Sequence, residues 1–291
     1  MAELTDTTVK TSPQIYVVGV AFILFHVAAL GVFYTGVSTP ALIVLAASYF
    51  VRGFGITAGY HRLLAHRSFQ TSRFMQFLFA FAGCQAFQGG PLWWVAHHRS
   101  HHRYTETHED IHSPRTKGLW QSHMGWMMHN EAFNEKGANT RDLHKFPEIK
   151  FLQRYYVWVI LGEIPAFYGL GVLLNMLFPE AGTSGLQILV CGFFLCTVLL
   201  WHATFMVNSV CHMWGSRGYE TEDTSTNNLF VAAVALGEGW HNNHHQYPLS
   251  SRHGLHWYQI DLTWYLLRTL KFFGLVSNLK LPKEFRPAGE N

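Results

Sequence analysis

The sequence has little charge and few cysteines. Aspartate, glutamate, lysine and arginine make up 13% of its 291 residues, about half of the usual share of roughly 25%. This composition excludes a charge-rich disordered chain and a soluble helical repeat, and a net charge of +3 is too small to predict nucleic-acid binding. The four cysteines, Cys84, Cys191, Cys196 and Cys211, lie in apolar surroundings without a C-x-x-C pair, so we expect buried thiols.

Histidine is the abundant ionisable residue. The 19 histidines outnumber the 18 aspartates and glutamates combined, and hydrophobic residues make up 49% of the chain. Imidazole is the commonest metal ligand in proteins, and long apolar runs cross membranes. The composition therefore predicts a membrane protein with a site built from histidine side chains.

Four apolar segments are long enough to cross about 30 Å of hydrocarbon as helices. A shorter apolar segment at 74–88 is predicted to form an interfacial or buried helix. A glycine-rich stretch, GFGITAG at 53–59, lacks the spacing of a nucleotide-binding loop and is predicted to allow close packing of helices. The four predicted spans are residues 15–37, 41–60, 155–178 and 186–211.

Lysine and arginine are distributed unevenly around these spans. The short connections at 38–40 and 179–185 contain neither residue, whereas residues 61–154 contain twelve and residues 212–291 contain seven. The positive-inside rule therefore places both termini and the two long segments in the cytoplasm. We expect a single domain over residues 1–291, in which four transmembrane helices carry a cytoplasmic cap built from the two long segments.

Seventeen histidines lie outside the predicted spans, and eight of them form three clusters. In two clusters the spacing i, i+3, i+4 places three side chains on one face of a helix. In the remaining cluster the two histidines are separated by about 140° around an ideal helix, so they can flank one ion only if the helix bends or the ion lies between helices. The clusters are His61 and His66; His98, His101 and His102; and His241, His244 and His245.

Eight clustered imidazoles exceed the needs of one metal ion. A catalytic zinc site typically uses three protein ligands, and neutral imidazole also suits iron and copper. The clusters therefore predict two metal ions in the cap. We expect the other histidines of the cap to form ordinary hydrogen bonds or to contact the ligands from outside.

The three motifs HRLLAH, HRSHH and HNNHH resemble those of the membrane fatty-acyl desaturases. The similarity is greatest to the Δ9 group, which includes stearoyl-CoA desaturase and the bacterial and cyanobacterial acyl-lipid enzymes, and it covers nearly the whole chain. It implies an all-α integral membrane fold with four transmembrane helices and a cytoplasmic helical di-iron cap. The supporting stretches are GITAGYHRLLAHRSF at 55–69, HHRYTETHEDIHSP at 101–114, VNSVCH at 207–212 and GEGWHNNHHQYP at 237–248.

The resemblance also implies the ligands of two Fe2+ ions, with O2 as co-substrate. Nine ligands are histidines, and one asparagine acts through a water molecule. On this chain these positions are His61, His66, His98, His101, His102, His212, His241, His244 and His245, with Asn208 as the water-linked position.

Members of this family thread the acyl chain through a kinked apolar tunnel. Gln88, Trp94 and Thr204 are similar to residues that line the kink, and Tyr49 and Gly53 correspond to positions near the blind end. The alternative interpretation of these five residues is ordinary packing in an aromatic-rich membrane region.

The chain departs from the animal acyl-CoA enzymes at the tunnel mouth. Where those enzymes have basic residues, this chain has Ala96, His97, His129 and Asn130. This difference favours an acyl chain carried on a lipid head group over acyl-CoA. No cytochrome b5 domain, flavin motif or NAD fingerprint is recognisable, so we expect the electrons to come from a separate cytochrome b5-like or ferredoxin-like protein that docks on basic residues of the cap.

The sequence thus predicts O2-dependent Δ9 desaturation of a saturated acyl-lipid or acyl-CoA substrate to a cis-monounsaturated chain. The expected location is the bacterial inner membrane, or the endoplasmic reticulum of a eukaryote. A di-iron fatty-acyl or alkane hydroxylase is one alternative, and a histidine-rich metal transporter, with polar residues through the bilayer midplane, is another. A zinc-dependent membrane hydrolase would require a water-activating glutamate beside two helical histidines, as in H-E-x-x-H.

Overall fold

The computed structural model describes residues 12–133 and 140–285. Four helices in these residues are long and apolar enough to cross a membrane. The predicted fold class, a helical integral membrane protein with four transmembrane helices, is therefore confirmed. The spans, numbered first to fourth, are Pro13–Thr35, Thr39–Ala65, Pro147–Leu177 and Gly185–His212.

The second and third spans extend farther toward the cap than their apolar runs. The second ends at Ala65 and not at residue 60, because the α-helix Thr39–Phe54 continues directly into the π-helix Gly55–Ala65. The third begins at Pro147 and not at residue 155, with the proline in the first helical turn, where it is tolerated. Helical hydrogen bonding continues beyond the apolar residues, so hydropathy alone made both predicted helices too short at the end that faces the cap.

The first and fourth spans are interrupted helices. The first consists of the α-helices Pro13–Ala29 and Val32–Thr35. The fourth consists of the α-helix Gly185–Ile188, the π-helix Leu189–Leu195, the α-helix Cys196–Ser209 and the 3-10 turn Val210–His212.

The remaining helices come from the two segments predicted to form the cap, except for the 3-10 turn Pro179–Ala181, which lies between the third and fourth spans. A pair of two-residue antiparallel strands, Gln70–Thr71 and Val276–Ser277, ties these two segments together. The amide of Lys280 extends this junction by donating to the carbonyl of Ser68 at 2.9 Å. The α-helices are Arg73–Gln85, Pro91–Tyr104, Pro114–Lys117, Leu119–His123, Leu229–Val234, His241–Gln246 and Leu262–Phe272, and the 3-10 turns are Gly125–Met128, Asn130–Phe133, Pro179–Ala181 and Lys283–Phe285.

The main buried core lies where the second span meets the short helix Arg73–Gln85. This helix corresponds to the apolar segment that was predicted to be too short to span the bilayer. Glycines of the second span allow its close approach: a Cβ atom at Gly55 would lie 2.3 Å from the backbone of Ala82, and one at Gly59 would lie 2.7 Å from the carbonyl oxygen of Phe79. The packing role predicted for the glycine-rich stretch is confirmed. The four cysteines are buried free thiols, as expected.

A buried ion pair connects the second and third spans. Arg52 bonds to Glu163, and it also donates to the hydroxyl of Thr197 on the fourth span at 2.7 Å. Each charge faces protein and not lipid, which is how ionisable residues are accommodated within transmembrane helices.

Candidate metal centre

The π-helix at the end of the second span aligns His61 with His66. In a π-helix each amide bonds to the carbonyl five residues earlier, and the amide of His66 donates to the carbonyl of His61 at 3.1 Å. The two ring centroids are 4.8 Å apart. The change in helix type therefore brings the two rings together despite the angular separation expected for an ideal α-helix.

Five histidines from three helical segments form the first group of ring nitrogens. Their nearest nitrogen atoms all lie within 4.8 Å of one another. The Nε2 atoms of His66 and His98 are 2.6 Å apart, those of His102 and His244 are 2.9 Å apart, and those of His61 and His244 are 3.1 Å apart. The first group is His61, His66, His98, His102 and His244.

Four further histidines form the second group under the same distance limit. The Nε2 atoms of His212 and His241 are 3.0 Å apart. The expectation that the three histidines of each i, i+3, i+4 cluster converge is wrong, because each cluster is divided between the two groups. Residues four apart on a helix share a face, so His98 and His102 point to the first group, and His241 and His245 point to the second. The second group is His101, His212, His241 and His245, and the structure thus brings all nine candidate histidines into two groups.

The donor set fits metal cations. The Nδ1 atom of His61 lies 2.6 Å from Glu238, and that of His101 lies 3.0 Å from Asp110. A neutral imidazole has a single N–H, so a ring that donates it to a carboxylate presents only a lone pair at Nε2. Nitrogen atoms bound at right angles to one ion, at about 2.0–2.1 Å each, lie roughly 3 Å apart, which matches the separations observed here.

Five ring nitrogens of the nine histidines are buried without a hydrogen-bond partner in the described part of the chain, and two of these are Nε2 atoms, those of His101 and His245. Buried polar atoms without a partner are rare and costly. A bound cation would satisfy both of them.

Four carboxylates that lie next to the Nδ1 atoms of candidate ligand histidines were not identified from the sequence. Glu238 and Asp110 contact His61 and His101, Asp223 bonds to the Nδ1 of His245, and Glu106 lies 3.5 Å from the Nδ1 of His212. Such partners orient a ligand ring and raise its basicity. The available signal was local: Glu238 precedes His241 by three residues, and Glu106 and Asp110 closely follow the HRSHH motif.

Burial favours the neutral form of four of the clustered imidazoles. Burial, and then the neighbouring histidines, hold the pKa values of His98, His102, His241 and His244 well below the usual range. Burial raises the pKa of Glu238, but the charges of His61, His253 and Arg62 outweigh it and keep the pKa of that carboxyl well below its usual value. Burial also lowers the pKa of His101, but the charge of Asp110 outweighs it and raises that pKa overall. The site therefore combines four imidazoles whose neutral form is favoured with an ionised carboxylate at Glu238.

A cavity of about 90 Å³ lies next to both groups of histidines. Three of the predicted tunnel residues line it: Gln88 donates to the hydroxyl of Thr204 at 2.9 Å, and Trp94 stacks on His98 with the ring centroids 5.0 Å apart. Asn208 lines the same cavity, together with His101 and His241.

The other two predicted tunnel residues do not line this cavity. The Tyr49 hydroxyl donates to the carbonyl of Val234 at 2.6 Å. A Cβ atom at Gly53 would lie 2.6 Å from a methyl group of Leu236. In the structure, both residues pack against the segment that precedes the third histidine motif.

The H-E-x-x-H pattern of zinc hydrolases occurs in the sequence at 108–112, as His-Glu-Asp-Ile-His. These residues lie in turns and not on a helix, and His108 and Glu109 are exposed whereas His112 is buried. Because the pattern requires both histidines on one helical face, it does not form a hydrolase-type zinc site here.

Comparisons with known proteins agree with this chemistry. The model of the fatty acid desaturase family matches residues 36–276. The chain is 40% identical over 94% of its length to the sn-1 stearoyl-lipid 9-desaturase of Anabaena variabilis and covers 96% of that protein. It is 44% identical over 79% of its length to the icosanoyl-CoA 5-desaturase of Limnanthes douglasii and 40% identical over 84% to the chloroplastic palmitoyl-monogalactosyldiacylglycerol delta-7 desaturase of Arabidopsis thaliana. The chain spans 62% and 63% of those two plant proteins.

Proposed function

This chain belongs to the fatty acid desaturase family, and from that premise we propose that it introduces a cis Δ9 double bond into a saturated fatty-acyl chain. The observation that carries the proposal is the convergence of nine histidine rings in two groups beside a cavity lined by Gln88, Trp94 and Thr204. The proposed reaction consumes O2, two electrons and two protons, and releases two water molecules.

We propose that each group of histidines holds one Fe2+ ion, with Asn208 acting on the second ion through water. When bound, the two ions supply the O2-activating chemistry that an unactivated C–H bond requires. The chain itself positions the rings: Glu238, Asp110 and Asp223 each accept a hydrogen bond from a ligand histidine. These contacts hold the proton on Nδ1 and leave Nε2 free for the metal.

The cavity selects the carbon. Methylene groups along a saturated chain are chemically alike, so only position relative to the ions distinguishes them. The hydrogen bond between Gln88 and Thr204 lies at the wall where the proposed chain passes the histidines. We propose that Tyr49 and Gly53 lie near the blind end of a tunnel that extends beyond the cavity next to the histidines.

Regiochemistry and carrier differ among the relatives. Their names include Δ5, Δ7 and Δ9 enzymes acting on acyl-CoA or lipid substrates. We propose Δ9 because the Anabaena variabilis Δ9 enzyme matches this chain over nearly its entire length. A separate cytochrome b5-like or ferredoxin-like donor supplies the electrons in this proposal, and the cap lies in the cytoplasm of a bacterial inner membrane or on the endoplasmic reticulum of a eukaryote.

Expression in a host that lacks its own Δ9 desaturase tests the proposal. We expect new monounsaturated chains whose double bond, mapped by mass spectrometry of dimethyl disulfide adducts, lies at Δ9. A His244→Ala variant should make none and should lose bound iron. Hydroxylated chains would support the hydroxylase alternative, and absence of any new product from folded, iron-loaded protein with a working electron donor would refute both.

A further inference from the structure

A polar cavity of about 560 Å³ lies in the cap. All of its lining residues belong to the two segments predicted to form the cap, 61–154 and 212–291. It shares no lining residue with the cavity that contains Gln88 and Thr204. The histidine groups are therefore in contact with two different cavities.

Histidines from both groups line the polar cavity. His66 and His102 belong to the first group and His245 belongs to the second. The ring centroids of His66 and His102 are 4.7 Å apart, and those of His102 and His245 are also 4.7 Å apart. The polar cavity therefore reaches ligand rings of both groups directly.

One of these rings has an unsatisfied nitrogen. The side chain of His245 is only 3% exposed, and its Nε2 atom has no hydrogen-bond partner in the described part of the chain. Its Nδ1 atom is bonded to Asp223, which also lines the polar cavity. A neutral imidazole that carries its proton on Nδ1 has a lone pair at Nε2. Because buried polar atoms without a partner are costly, this atom points to a cation as the missing partner.

The lining of the polar cavity has an excess of negative charge. It contains three carboxylates and two guanidinium groups. One guanidinium, that of Arg99, donates to both carboxylate oxygens of Asp142, at 2.7 and 3.1 Å, and Asp142 lies outside the lining. Two of the carboxylates, those of Glu220 and Glu222, belong to exposed residues. Clefts lined by charge of one sign concentrate ions of the opposite sign and raise their rates of association.

The cavity on the other side of the histidines is unsuited to a hydrated cation. Its walls include the apolar side chains of Trp93, Trp94 and Phe205, and Glu238 is its single carboxylate. That carboxylate is buried against His61. Moving an ion from water into apolar surroundings is very costly unless the ion is paired. A divalent cation from solution therefore meets a lower barrier in the polar cavity.

We propose that the polar cavity is the entrance through which Fe2+ reaches the two groups of histidines, and that Glu220 and Glu222 are the first side chains to bind the ion. The inference rests on the proposed di-iron centre and adds the route by which that centre is loaded. The ion exchanges water molecules for the two carboxylates and then exchanges the carboxylates for ring nitrogens of His66, His102 or His245. It remains Fe2+ throughout, so the route needs neither an oxidant nor a reductant.

The rate of iron uptake tests this route. Iron-depleted full-length protein in nanodiscs is mixed with Fe2+ without oxygen, a chelator removes free ion at intervals, and bound iron is measured. We expect Glu220→Gln/Glu222→Gln to take up iron at least fivefold more slowly than the wild type and to reach the same final content. The control Glu109→Gln/Glu131→Gln makes the same change in net charge at exposed residues outside the cavity and should keep the wild-type rate. Equal rates in the two double variants, or a lower final iron content in the first, would overturn the proposal.

A second pair of variants narrows the cavity without changing its charge. Leu249 lines it and is 57% exposed, whereas Leu229 is 69% exposed and does not line it. If Glu220→Gln/Glu222→Gln does not fold, slower uptake in Leu249→Trp than in Leu229→Trp supports the route, and equal uptake overturns it. Uptake does not depend on turnover, so protein that loads iron by this route but forms no product would refute only the proposed desaturation.

Discussion

Glu238 connects three side chains at the base of the first group of histidines. Its carboxylate lies 2.6 Å from the Nδ1 of His61, 3.3 Å from the Nδ1 of His253 and 3.2 Å from the guanidinium of Arg62. All of these groups are buried. The orientation and protonation of the His61 ring therefore depend on one carboxylate.

Replacing Glu238 by glutamine is expected to weaken metal binding. The amide cannot provide the negative charge that holds the proton on Nδ1, and loss of such a partner typically costs about 10–100-fold in metal affinity or activity. Iron content after dialysis and turnover measure the effect. As a control, Glu148→Gln breaks an ion pair with the exposed Arg73. Surface ion pairs contribute little to stability, so iron content and turnover should both be unchanged in this variant. Equal iron loss in the two variants would contradict this role for Glu238.

His253 makes the metal-free protein sensitive to acid. Burial, together with the charge of Arg62, lowers its pKa to about 4, whereas an unfolded histidine titrates near about 6.5. Between these values the unfolded chain binds a proton that the folded chain does not, so the free energy of unfolding falls with falling pH, by up to about 1.4 kcal/mol per pH unit. Above pH 6.5 this group contributes no pH dependence.

The expected result is a shallower acid transition in His253→Gln. Melting temperatures of the metal-free protein between pH 7 and pH 4.5 should decline less steeply in this variant than in the wild type. His256→Gln, which removes an exposed histidine three residues away, should keep the wild-type slope. Parallel slopes in all three proteins would show that the buried His253 does not contribute.

Single residues also show how far the sequence could predict the site. Six of the nine candidate ligand histidines were identifiable because i, i+3, i+4 spacing places their side chains near one another before any tertiary contact forms, whereas His212 was expected only from the family resemblance. Their carboxylate partners were not, because Asp223 reaches His245 from a loop 22 residues away and Glu106 reaches His212 across 106 residues of sequence. Such contacts arise from tertiary packing and leave no periodic signal.

Among the elements, the π-helix Gly55–Ala65 has the largest effect on the centre. It brings His61 and His66 onto one face, and the same segment packs against the helix Arg73–Gln85 through glycines. The sequence predicted the glycine packing but not the change of helix type, because an i→i+5 hydrogen-bond pattern has no residue signature comparable to a cap or a proline.

Gly59→Ala is expected to destabilise this element. The new methyl group would lie 2.7 Å from the carbonyl oxygen of Phe79, and overpacking of this kind costs about 1–3 kcal/mol. The displaced π-helix carries His61 two residues later, so bound iron should fall together with the melting temperature. In the control Gly169→Ala, on the third span, the new methyl group has no neighbour within 4 Å, so the melting temperature and the bound iron should both be maintained. A stable Gly59→Ala protein with full iron content would refute the requirement for glycine at position 59.

A line of three histidines connects the first span to the fourth span and to the cap. The Nε2 atoms of His26 and His202 are 3.0 Å apart, and the Nδ1 of His202 is 3.0 Å from the Nε2 of His123. The line ends at the hydroxyl of Ser209, 2.9 Å from His123. Polar side chains within two apolar spans are therefore paired with each other, which the sequence could not show because the partners are up to 176 residues apart.

At the scale of the whole molecule, hydropathy and the distribution of basic residues predicted the number of spans and the grouping of polar segments. The cavity beside the histidines was beyond the sequence. Its walls combine the second span, the fourth span and the connection around Gln88, and residues so distant in the chain are brought together only by the folded arrangement of the helices.

The end of the substrate that the protein holds determines how its carbons are counted. If the protein fixes the ester end of the acyl chain, a constant distance separates that end from the histidines, and palmitoyl and stearoyl chains are both desaturated at Δ9. If the blind end positions the methyl terminus, the double bond in the shorter chain moves two carbons toward the ester, to Δ7. We expect the first pattern, measured by mapping the double bonds formed from the two lipids in one preparation; a Δ7 product from palmitoyl lipid would show that the closed end of the tunnel sets the position.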